Sequence, residues 1–548
     1  MKSSLFTSAE RRWVLAFAAF AMLVTTLPYL VGFASQGEDW VFTGFVFAVD
    51  DANSYIAKML AGHYGDWLFR SPYTTMPQDG LLVFLPHLLL GKLAPSPAQH
   101  FHLVVLYHLF RIVAGFLVFF ASYDFLARFI SGIPQRRWGL ALVTLGGGLG
   151  WLLVLFGRPD WFGSVPLDFN SPESFGFLAL YGLPHLALAR ALLLWGLVKH
   201  LSPLPEKDLP RSPFALDKNG LNAGLLWLLL GLAQPLTLLV GWMILGVHLA
   251  SLALVSLWRA HRGQAVDWNN WRAYFRRAFW AVLLSSPLVL STFWALNFDP
   301  FFQAWSARNL IASPHPLHYL LAYGLVLPFA VAGARQMLGS DCQRGLLPVA
   351  WVLAVPLLLY SPIGVQRRLA EGVWVALVLL VVKSFDRPPL ERSRLLHPAI
   401  LLLAFPTTLF LLAGGFFAAR SPSIPVFRPA DEVAAMQALT EVAEPRDVVL
   451  ASFESGNVLP AWAPVRVLVG SGPESIGLED LLPRIQSFFQ TSTTDAQRLA
   501  FLEEFNVRYL FWGPSERLLG GWDPTTATFL QLIFQQSDYS VFKVTTPP

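Results

Sequence analysis

Long apolar segments separated by polar stretches fill the first 420 residues of the chain. A helix that crosses a membrane needs about 20 consecutive, mostly apolar residues. The predicted spans are residues 13–33, 101–126, 138–157, 175–198, 222–239, 241–258, 278–296, 317–334, 346–361, 369–384 and 396–418. This pattern predicts a polytopic α-helical membrane protein with about eleven transmembrane helices.

Three places depart from a simple run of spans. The segment 222–258 is a hairpin interrupted at Gln234-Pro235. The glycines Gly146 to Gly148 lie inside a span, where small residues favour close helix packing. Residues 81–94 are apolar but too short to cross a membrane alone, so we expect them to form a re-entrant or interfacial helix.

Lys and Arg side chains cluster in the loops, and such clusters mark the cytoplasmic side of a membrane protein. The clusters are Lys2/Arg11/Arg12, Arg128/Arg136/Arg137, Lys199/Lys207/Arg211/Lys218, Arg259/Arg262/Arg272/Arg276/Arg277, Arg335/Arg344 and Lys383/Arg387/Arg392/Arg394. With eleven spans, all of these clusters fall inside. The N-terminus is then cytoplasmic, and the loops 34–100, 158–174 and 297–316 and the chain after about residue 419 face outside.

The pattern changes in residues 421–548, where charge rises and apolar runs shorten to the length of strands. Four such runs cover residues 447–451, 465–469, 507–511 and 539–542, and helical patterns cover 478–489 and 494–505. Strands that alternate with helices are typical of an α/β fold with a largely parallel sheet. We predict a transmembrane domain over residues 1–420, which includes the outer loop 34–100, and a soluble, extracytoplasmic α/β domain after it.

Composition supports the membrane assignment. Of the 548 residues, 55% are hydrophobic and 14% are charged, whereas soluble domains carry about 25% charged residues. The formal net charge of +4 comes from loop clusters, so it indicates topology and not binding to nucleic acid. The single cysteine, Cys342, excludes an internal disulfide and a cysteine-based zinc site. We expect the first apolar segment, residues 13–33, to be a retained helix and not a cleaved signal peptide.

Asp50 and Asp51 are the leading candidates for chemistry, because they form an acidic pair in the first outer loop. A carboxylate there would act as a general base on an acceptor hydroxyl, or bind a divalent cation. The alternative is that the two are solvated loop acids, with Asp51 as the N-cap of a helix that begins at Ala52.

A helix over residues 51–61 would place Asp51, Tyr55 and Lys58 on one face, because they are spaced by four and seven residues. A helix that lies along the membrane surface would present this face to a cleft. The stretch 65–74 then mixes aromatic residues with polar residues such as Arg70. Sugar-binding sites and interfacial membrane loops both contain this mixture, so both interpretations stay open.

Arg367 and Arg368 lie on the outer side of the predicted topology, where basic residues are not expected. Arginine binds phosphate in a bidentate manner, so the pair would suit the phosphate of a lipid-linked donor. The alternative is that the pair reaches lipid headgroups or forms an ion pair with Glu371.

Polar residues inside the predicted spans form a third group of candidates, His108, Arg111 and His185. Polar groups at membrane depth are costly and usually face a cavity, so we include them among the substrate-binding candidates. A single buried histidine is also often a structural hydrogen-bonding partner. No histidine pair has metal-ligand spacing, and the sequence lacks a P-loop, a dinucleotide-binding glycine fingerprint and a G-x-S-x-G elbow.

These features together resemble glycosyltransferase superfamily C, which includes protein O-mannosyltransferases, aminoarabinose transferases and oligosaccharyltransferases. The segment Asp51-Ala52-Asn53-Ser54-Tyr55-Ile56-Ala57-Lys58 looks like the acidic motif in the first loop of that superfamily. Gln366-Arg367-Arg368 is similar to its phosphate-side arginines. The resemblance covers the layout of about the first 420 residues, and the tail looks like the outer domain of some bacterial members. The resemblance therefore implies an integral protein of a bacterial plasma membrane.

The resemblance implies transfer of a hexosyl or mannosyl type of sugar from a polyprenyl-phosphate donor, by inverting displacement at the outer face of a membrane. Asp50 or Asp51 would be the base, and Arg367 and Arg368 would hold the donor phosphate. The chain departs from the superfamily by lacking a strong second acidic motif. The only candidates for one are Asp168 and Glu173, which leaves the need for a divalent cation open.

Two other functions stay in view. A transporter or flippase of lipid-linked saccharide would favour inverted repeats and paired broken helices, and the break at Gln234-Pro235 has no evident twin. A non-catalytic membrane scaffold of the same fold is the second alternative.

Overall fold

The computed structural model describes residues 6–203, 212–266, 268–386, 390, 393 and 395–545. Several residues of the predicted basic clusters lie outside these ranges: Lys2, Lys207, Arg211, Arg387, Arg392 and Arg394. The chain divides into two compact units. The first unit comprises Met1–Thr26, Phe110–Thr292 and Leu310–Gly414, and the second unit comprises Leu27–Leu109, Phe293–Asn309 and Gly415–Pro548.

Helices account for most of the described residues. The α-helices are α1 (Ser8–Ser35), α2 (Val49–His63), α3 (Leu85–Lys92), α4 (His100–Ala127), α5 (Ile133–Leu145), α6 (Gly150–Leu155), α7 (Leu167–Asn170), α8 (Gly176–Gly182), α9 (Pro184–His200), α10 (Lys218–Ala233), α11 (Pro235–His261), α12 (Asn269–Phe298), α13 (Pro300–Arg308), α14 (Pro316–Tyr323), α15 (Leu327–Ser340), α16 (Cys342–Leu359), α17 (Val373–Ser384), α18 (Leu396–Ala404), α19 (Pro406–Arg420), α20 (Ala430–Val442), α21 (Phe453–Trp462), α22 (Leu478–Phe488), α23 (Asp495–Glu504) and α24 (Pro514–Arg517). Short 3-10 turns cover Trp161–Gly163, Gln366–Ala370 and Pro524–Thr526.

The strands are β1 (Trp40–Phe42), β2 (Phe427–Pro429), β3 (Val448–Leu450), β4 (Arg466–Val467), β5 (Val507–Trp512), β6 (Leu530–Gln536) and β7 (Tyr539–Val544). β1 and β2 pair antiparallel as a small sheet of their own, with Val41 opposite Arg428. All seven strands belong to the second unit.

Within the described ranges, six helical segments are long and apolar enough to cross a membrane. They are α1, α4, α11, α12, α16 and the segment Leu396–Arg420, and the pair α14 and α15, bent by 72°, would make a seventh. These segments confirm a polytopic α-helical membrane protein. The other predicted spans coincide with shorter helices, such as α10 with 16 residues and α17 with 12, so the count of eleven stays a prediction.

The predicted span 138–157 is not one helix, because α5 ends at Leu145 and α6 begins at Gly150. Between them, Gly147 N donates to Ala404 O at 2.6 Å. A Cβ at Gly148 would lie 2.6 Å from Ala322 Cα, so only glycine fits against this backbone. The expected close packing at the glycines is confirmed, but it occurs at a break in the helix.

The five-stranded sheet has the order β4-β3-β5-β7-β6. β3 runs parallel to β4 and β5, whereas β7 runs antiparallel to β5 and β6. The prediction of a largely parallel sheet is therefore wrong, because β6 and β7 form a hairpin. Its turn contains Ser537 with a φ of 48°, and hairpin turns of this kind need positive φ.

One hydrophobic core of the second unit joins the predicted outer loop to the tail of the chain. Phe45, Ile56 and Met59 pack in the same cluster as Leu459 and Val541. The helix expected in residues 81–94 is present as α3. A Cβ at Gly91 of α3 would lie 1.7 Å from Met59 O of α2, so these two helices are in backbone contact.

Candidate functional site

Asp50 and Asp51 are exposed residues in the first turn of α2. The predicted helix over 51–61 is confirmed and is longer at both ends. Its N-cap is Ala48, in the left-handed conformation, so the interpretation of Asp51 as the N-cap is wrong. Carboxylates in the first turn of a helix interact favourably with the helix dipole.

Lys58 is buried and not open to a cleft, which corrects the predicted face of α2. Its Nζ lies 2.9 Å from Glu474 Oε1 and also donates to Ser54 Oγ. The same carboxylate accepts hydrogen bonds from Ser54 Oγ at 3.1 Å and Ser71 Oγ at 2.7 Å. The Lys58 ammonium thus bonds to protein groups that join α2 to residues 71 and 474 of the second unit.

A second set of buried polar contacts fixes the rotation of α2. Asn53 Nδ2 donates to Asn457 Oδ1 at 2.8 Å, and Tyr73 Oη donates to Asn457 O at 3.1 Å. Burial, followed by the negative charges of Glu474, Asp50 and Asp51, raises the pKa of Tyr73 well above its ordinary value. Tyr73 is therefore a neutral hydroxyl close to the acidic pair.

The other two candidates of this stretch also lie in the second unit. The Tyr55 ring stacks on His87 with their centroids 4.8 Å apart. Arg70 Nη2 donates to Asp79 O at 2.9 Å, and its Nη1 lies 3.6 Å from Asp66 Oδ1. Both side chains are half-buried, so neither is fully sequestered from a ligand.

Arg367 and Arg368 lie on the 3-10 turn Gln366–Ala370 of the first unit. Arg368 Nε is 3.3 Å from Glu173 Oε1, and Arg367 Nη1 donates to Asn170 Oδ1 at 3.5 Å. Arg367 Nε is buried and has no hydrogen-bond partner among the described residues. The arginine pair and one of the two second-motif acids are therefore neighbours in space.

The interpretation of the arginine pair as partners of Glu371 is wrong, because Glu371 bonds to Arg190. Arg190 Nε donates to Glu371 Oε1 at 2.7 Å, and its Nη2 donates to Pro172 O at 2.7 Å and Glu173 O at 3.0 Å. Gly372 N also donates to Glu173 O at 3.1 Å. Arg190 is not among the predicted site residues, although a lone arginine in the apolar span 175–198 is a signal for one.

Asp168 is buried, and its carboxylate is hydrogen-bonded to other groups of the protein. Its Oδ2 accepts hydrogen bonds from Thr407 Oγ1 at 2.6 Å and from Gly150 N at 3.2 Å. Burial raises the pKa of Asp168, while these hydrogen bonds oppose that change. Of the two acids of the second outer loop, only Glu173 contacts the arginine pair.

The described residues do not form a site that would hold a divalent cation. Among the residues that the structure covers, no group of three or more His, Cys, Asp or Glu side chains is placed to hold a metal ion. Glu173 is paired with Arg368, and Asp168 is bonded to Thr407.

Two of the polar residues of the predicted spans, His108 and Arg111, bond to other groups of the protein. His108 Nε2 is 2.9 Å from Gly44 O in the second unit. Arg111, in the first unit, donates to Thr25 Oγ1 at 3.0 Å, Thr26 Oγ1 at 2.6 Å and Leu180 O at 3.2 Å. His185 is buried in the first turn of α9. The Arg111 contacts tie α4 to α1 and α8.

No protein-family model matches the sequence, and no curated protein matches it. Solved structures are similar in fold. The oligosaccharyltransferase AglB from Archaeoglobus fulgidus, in complex with an inhibitory peptide and a dolichol-phosphate, is 13% identical, with a TM-score of 0.55 over 92% of this chain and 70% of that one. ArnT from Cupriavidus metallidurans in the apo state is 14% identical, with a TM-score of 0.51 over 99% of this chain and 100% of that one. The arabinofuranosyltransferase AftD from Mycobacteria is 14% identical, with a TM-score of 0.54 over 98% of this chain and 40% of that one.

Proposed function

The chain has the fold of glycosyltransferase superfamily C, and from this premise we propose that it is a membrane glycosyltransferase with a polyprenyl-phosphate sugar donor. The observation that carries the proposal is the exposed carboxylate pair, Asp50 and Asp51, in the first turn of α2. The sugar is moved to an acceptor at the extracytoplasmic face of the membrane.

In the proposed reaction, the Asp51 carboxylate removes the proton from an acceptor hydroxyl, and Asp50 is the second candidate for this role. The hydroxyl oxygen attacks the anomeric carbon of the donor sugar. The bond between that carbon and the phosphate oxygen breaks, and polyprenyl phosphate leaves with the bonding electrons. One displacement inverts the configuration at the anomeric carbon.

Arg367 and Arg368 hold the donor phosphate in this proposal. The buried Arg367 Nε has no partner among the described residues, so it is a donor left over for a ligand. Burial lowers the pKa of Arg367, which means that its charge is poorly solvated. A phosphate on this guanidinium would replace the missing solvation and develop charge-assisted hydrogen bonds. Arg190 and Glu371 are positioning residues. Arg190 donates to the backbone oxygen of Glu173, and Glu371 accepts a hydrogen bond from Arg190.

The test is a transfer assay on the purified full chain with polyprenyl-phosphate sugars. The measured products are polyprenyl phosphate and glycosylated acceptor, and we expect Asp51→Asn to lower turnover by about 100-fold or more. Asp480→Asn is the matched control, because Asp480 is an exposed acid in the first turn of α22 of the same unit.

Equal turnover in wild type and Asp51→Asn would remove Asp51 from the role of base. Accumulation of intact lipid-linked saccharide in proteoliposomes, with no chemical change, would favour a transporter. The same vesicles test the proposed topology of eleven spans, a cytoplasmic N-terminus and an extracytoplasmic region after residue 420. Protease added from outside distinguishes the two sides.

A further inference from the structure

The second unit contains a cavity of about 520 Å³. Ligand pockets in proteins are typically about 300–1,000 Å³, so this one has room for a small oligosaccharide. The α2 residues that line it are Ala57, Leu60 and Ala61. Tyr64, the C-cap of α2, also lines it, and the remaining lining comes from residues 66–78 and 445–466. All of these residues belong to the second unit.

The charge of the lining is strongly one-sided. Three arginines line the cavity, Arg70, Arg446 and Arg466, against a single acid, Asp66. Arg446 pairs with Asp66 Oδ1, and Arg70 Nη1 is 3.6 Å from the same oxygen. Arg466 has no carboxylate within ion-pair distance in the described part of the chain. Two positive charges therefore remain uncompensated in the lining.

Arg446 and Arg466 are in direct contact. Arg466 Nε donates to Arg446 O at 3.3 Å, and burial, followed by the charge of Arg446, lowers the pKa of Arg466. Arg446 itself has a φ of 76°, a conformation that is unfavourable for a residue with a side chain. A bound anion would offset the repulsion between the two guanidinium groups.

The walls of the cavity are rigid and partly aromatic. Five prolines line it: Pro72, Pro77, Pro445, Pro460 and Pro464. Proline has a fixed φ, so a ligand loses little binding free energy to ordering of these walls. Tyr64 is 40% exposed and offers a flat ring surface to a sugar.

The cavity is separate from the acidic pair but is attached to the same helix. Ala57 follows Asp51 by six residues, which is about 9 Å along the axis of α2. Between them, the side chains of Asn53 and Ser54 bond to Asn457 and Glu474. A ligand in the cavity would thus lie at a fixed distance from Asp51 without touching it.

We propose that this cavity binds an acidic sugar unit of the acceptor, a saccharide residue that carries a carboxylate or a phosphate. The assignment of this ligand to the acceptor rests on the proposed function, whereas binding of an acidic saccharide does not. The guanidinium groups of Arg446 and Arg466 contact the acidic group, and Tyr64 packs on the sugar ring. The cavity then selects the acceptor at a distance from the transferred bond.

The test is equilibrium binding to the full chain in detergent, by calorimetry, with four probes. The probes are a uronic-acid disaccharide, a hexose phosphate, a neutral disaccharide and inorganic phosphate. We expect one of the two acidic saccharides to bind at least about 10-fold more tightly than the neutral disaccharide and inorganic phosphate. The tighter of the two identifies the acidic group as a carboxylate or a phosphate.

Variants assign the binding to this cavity. Arg446→Gln and Arg466→Gln should each weaken binding of the acidic saccharide by about 10-fold or more. Arg484→Gln, a change of the same chemistry at an exposed ion pair with Glu504, should leave it unaltered. Asp66→Asn should tighten binding, because it removes the single acid of the lining. A misfolded protein would not gain affinity.

Other outcomes overturn the proposal. Equal binding of the neutral disaccharide would remove the role of the arginines, and equal binding of inorganic phosphate would mean an adventitious ion only. Asp51→Asn separates this proposal from the proposed function, because it should lower transfer by about 100-fold or more and leave binding unchanged. Binding without transfer in the wild type would contradict the transferase alone, and transfer without binding would contradict the cavity alone.

Discussion

Lys58 Nζ and Glu474 Oε1 form an ion pair of 2.9 Å in the interior of the second unit, with the lysine side chain only 2% exposed. The pair attaches α2, which carries Asp50 and Asp51, to residues that follow β4. The rings of Phe69 and Phe84 lie 4.9 Å and 4.8 Å from the Lys58 ammonium. The position of the acidic pair therefore depends on a charge that is itself desolvated.

Replacement of Lys58 by methionine should destabilise the protein by about 3 kcal/mol, because it leaves the Glu474 carboxylate buried without its counter-charge. The measurement is chemical denaturation of the purified protein. The double variant Lys58→Met/Glu474→Gln should recover part of the loss, since it removes both charges. Lys543→Met, at an exposed position of β7, is the control. If the single and double variants are equally destabilised, the charge pair is not the cause.

Arg367→Lys should raise the KM for the lipid-linked donor by about 10-fold with little change in kcat, because lysine retains the charge but not the planar donor geometry. Arg367→Gln should be more severe. The measurement is donor-dependent initial rate. Arg158→Gln, at an exposed position of the same unit, should have no effect. A change confined to kcat would place Arg367 outside donor binding.

Gly91→Ala should destabilise the second unit by about 1–3 kcal/mol, because the added Cβ would meet Met59 O at 1.7 Å and force α3 away from α2. The measurement is the unfolding transition of the purified protein, together with transfer activity. Gly472→Ala is the control, since a Cβ there meets no atom within 4 Å. Wild-type stability in Gly91→Ala would mean that the two helices separate without cost.

Asp168 should make stability fall as pH rises. Its pKa is raised in the folded protein, so the folded state binds the proton more tightly than the unfolded state. Stability is then greatest below the unfolded pKa and decreases through the interval up to the folded pKa. Asp168→Asn keeps an oxygen for Thr407 and Gly150 but does not ionise, so it should remove this dependence. The measurement is the melting temperature against pH for both proteins. Parallel curves would contradict the prediction.

The local sequence pattern predicts helices and helix boundaries that depend on residues close together in the chain. The spacing of Asp51, Tyr55 and Lys58 predicted α2, and Gln234-Pro235 predicted the boundary between α10 and α11. The pattern does not predict which residues these side chains contact. Lys58 finds its counter-charge 416 positions away at Glu474, and no periodicity carries that information.

Two further features differ from what the sequence predicts, the partner of Glu371 and the strand β6. Glu371 lies beside Arg368 in sequence but bonds to Arg190, 181 positions earlier. The sequence does not predict β6, because the strand is rich in glutamine and lacks a clear alternation of apolar and polar residues. Its residues are half-buried or exposed in the structure. The three arginines of the cavity are far apart in sequence, and only folding brings Arg70 near Arg446 and Arg466.

The pairing of β1 with β2 has a consequence for synthesis of the protein. Thr43 Oγ1 donates to Val426 O across 383 positions, and the core around Phe45 also requires Val541. Ribosomes deliver the chain from its N-terminus, so the segment with Asp50 and Asp51 exists for most of translation without the partners that complete its core. Closing so large a loop is slow relative to local helix formation. The acidic pair is thus among the first residues made, and its surroundings are among the last to assemble.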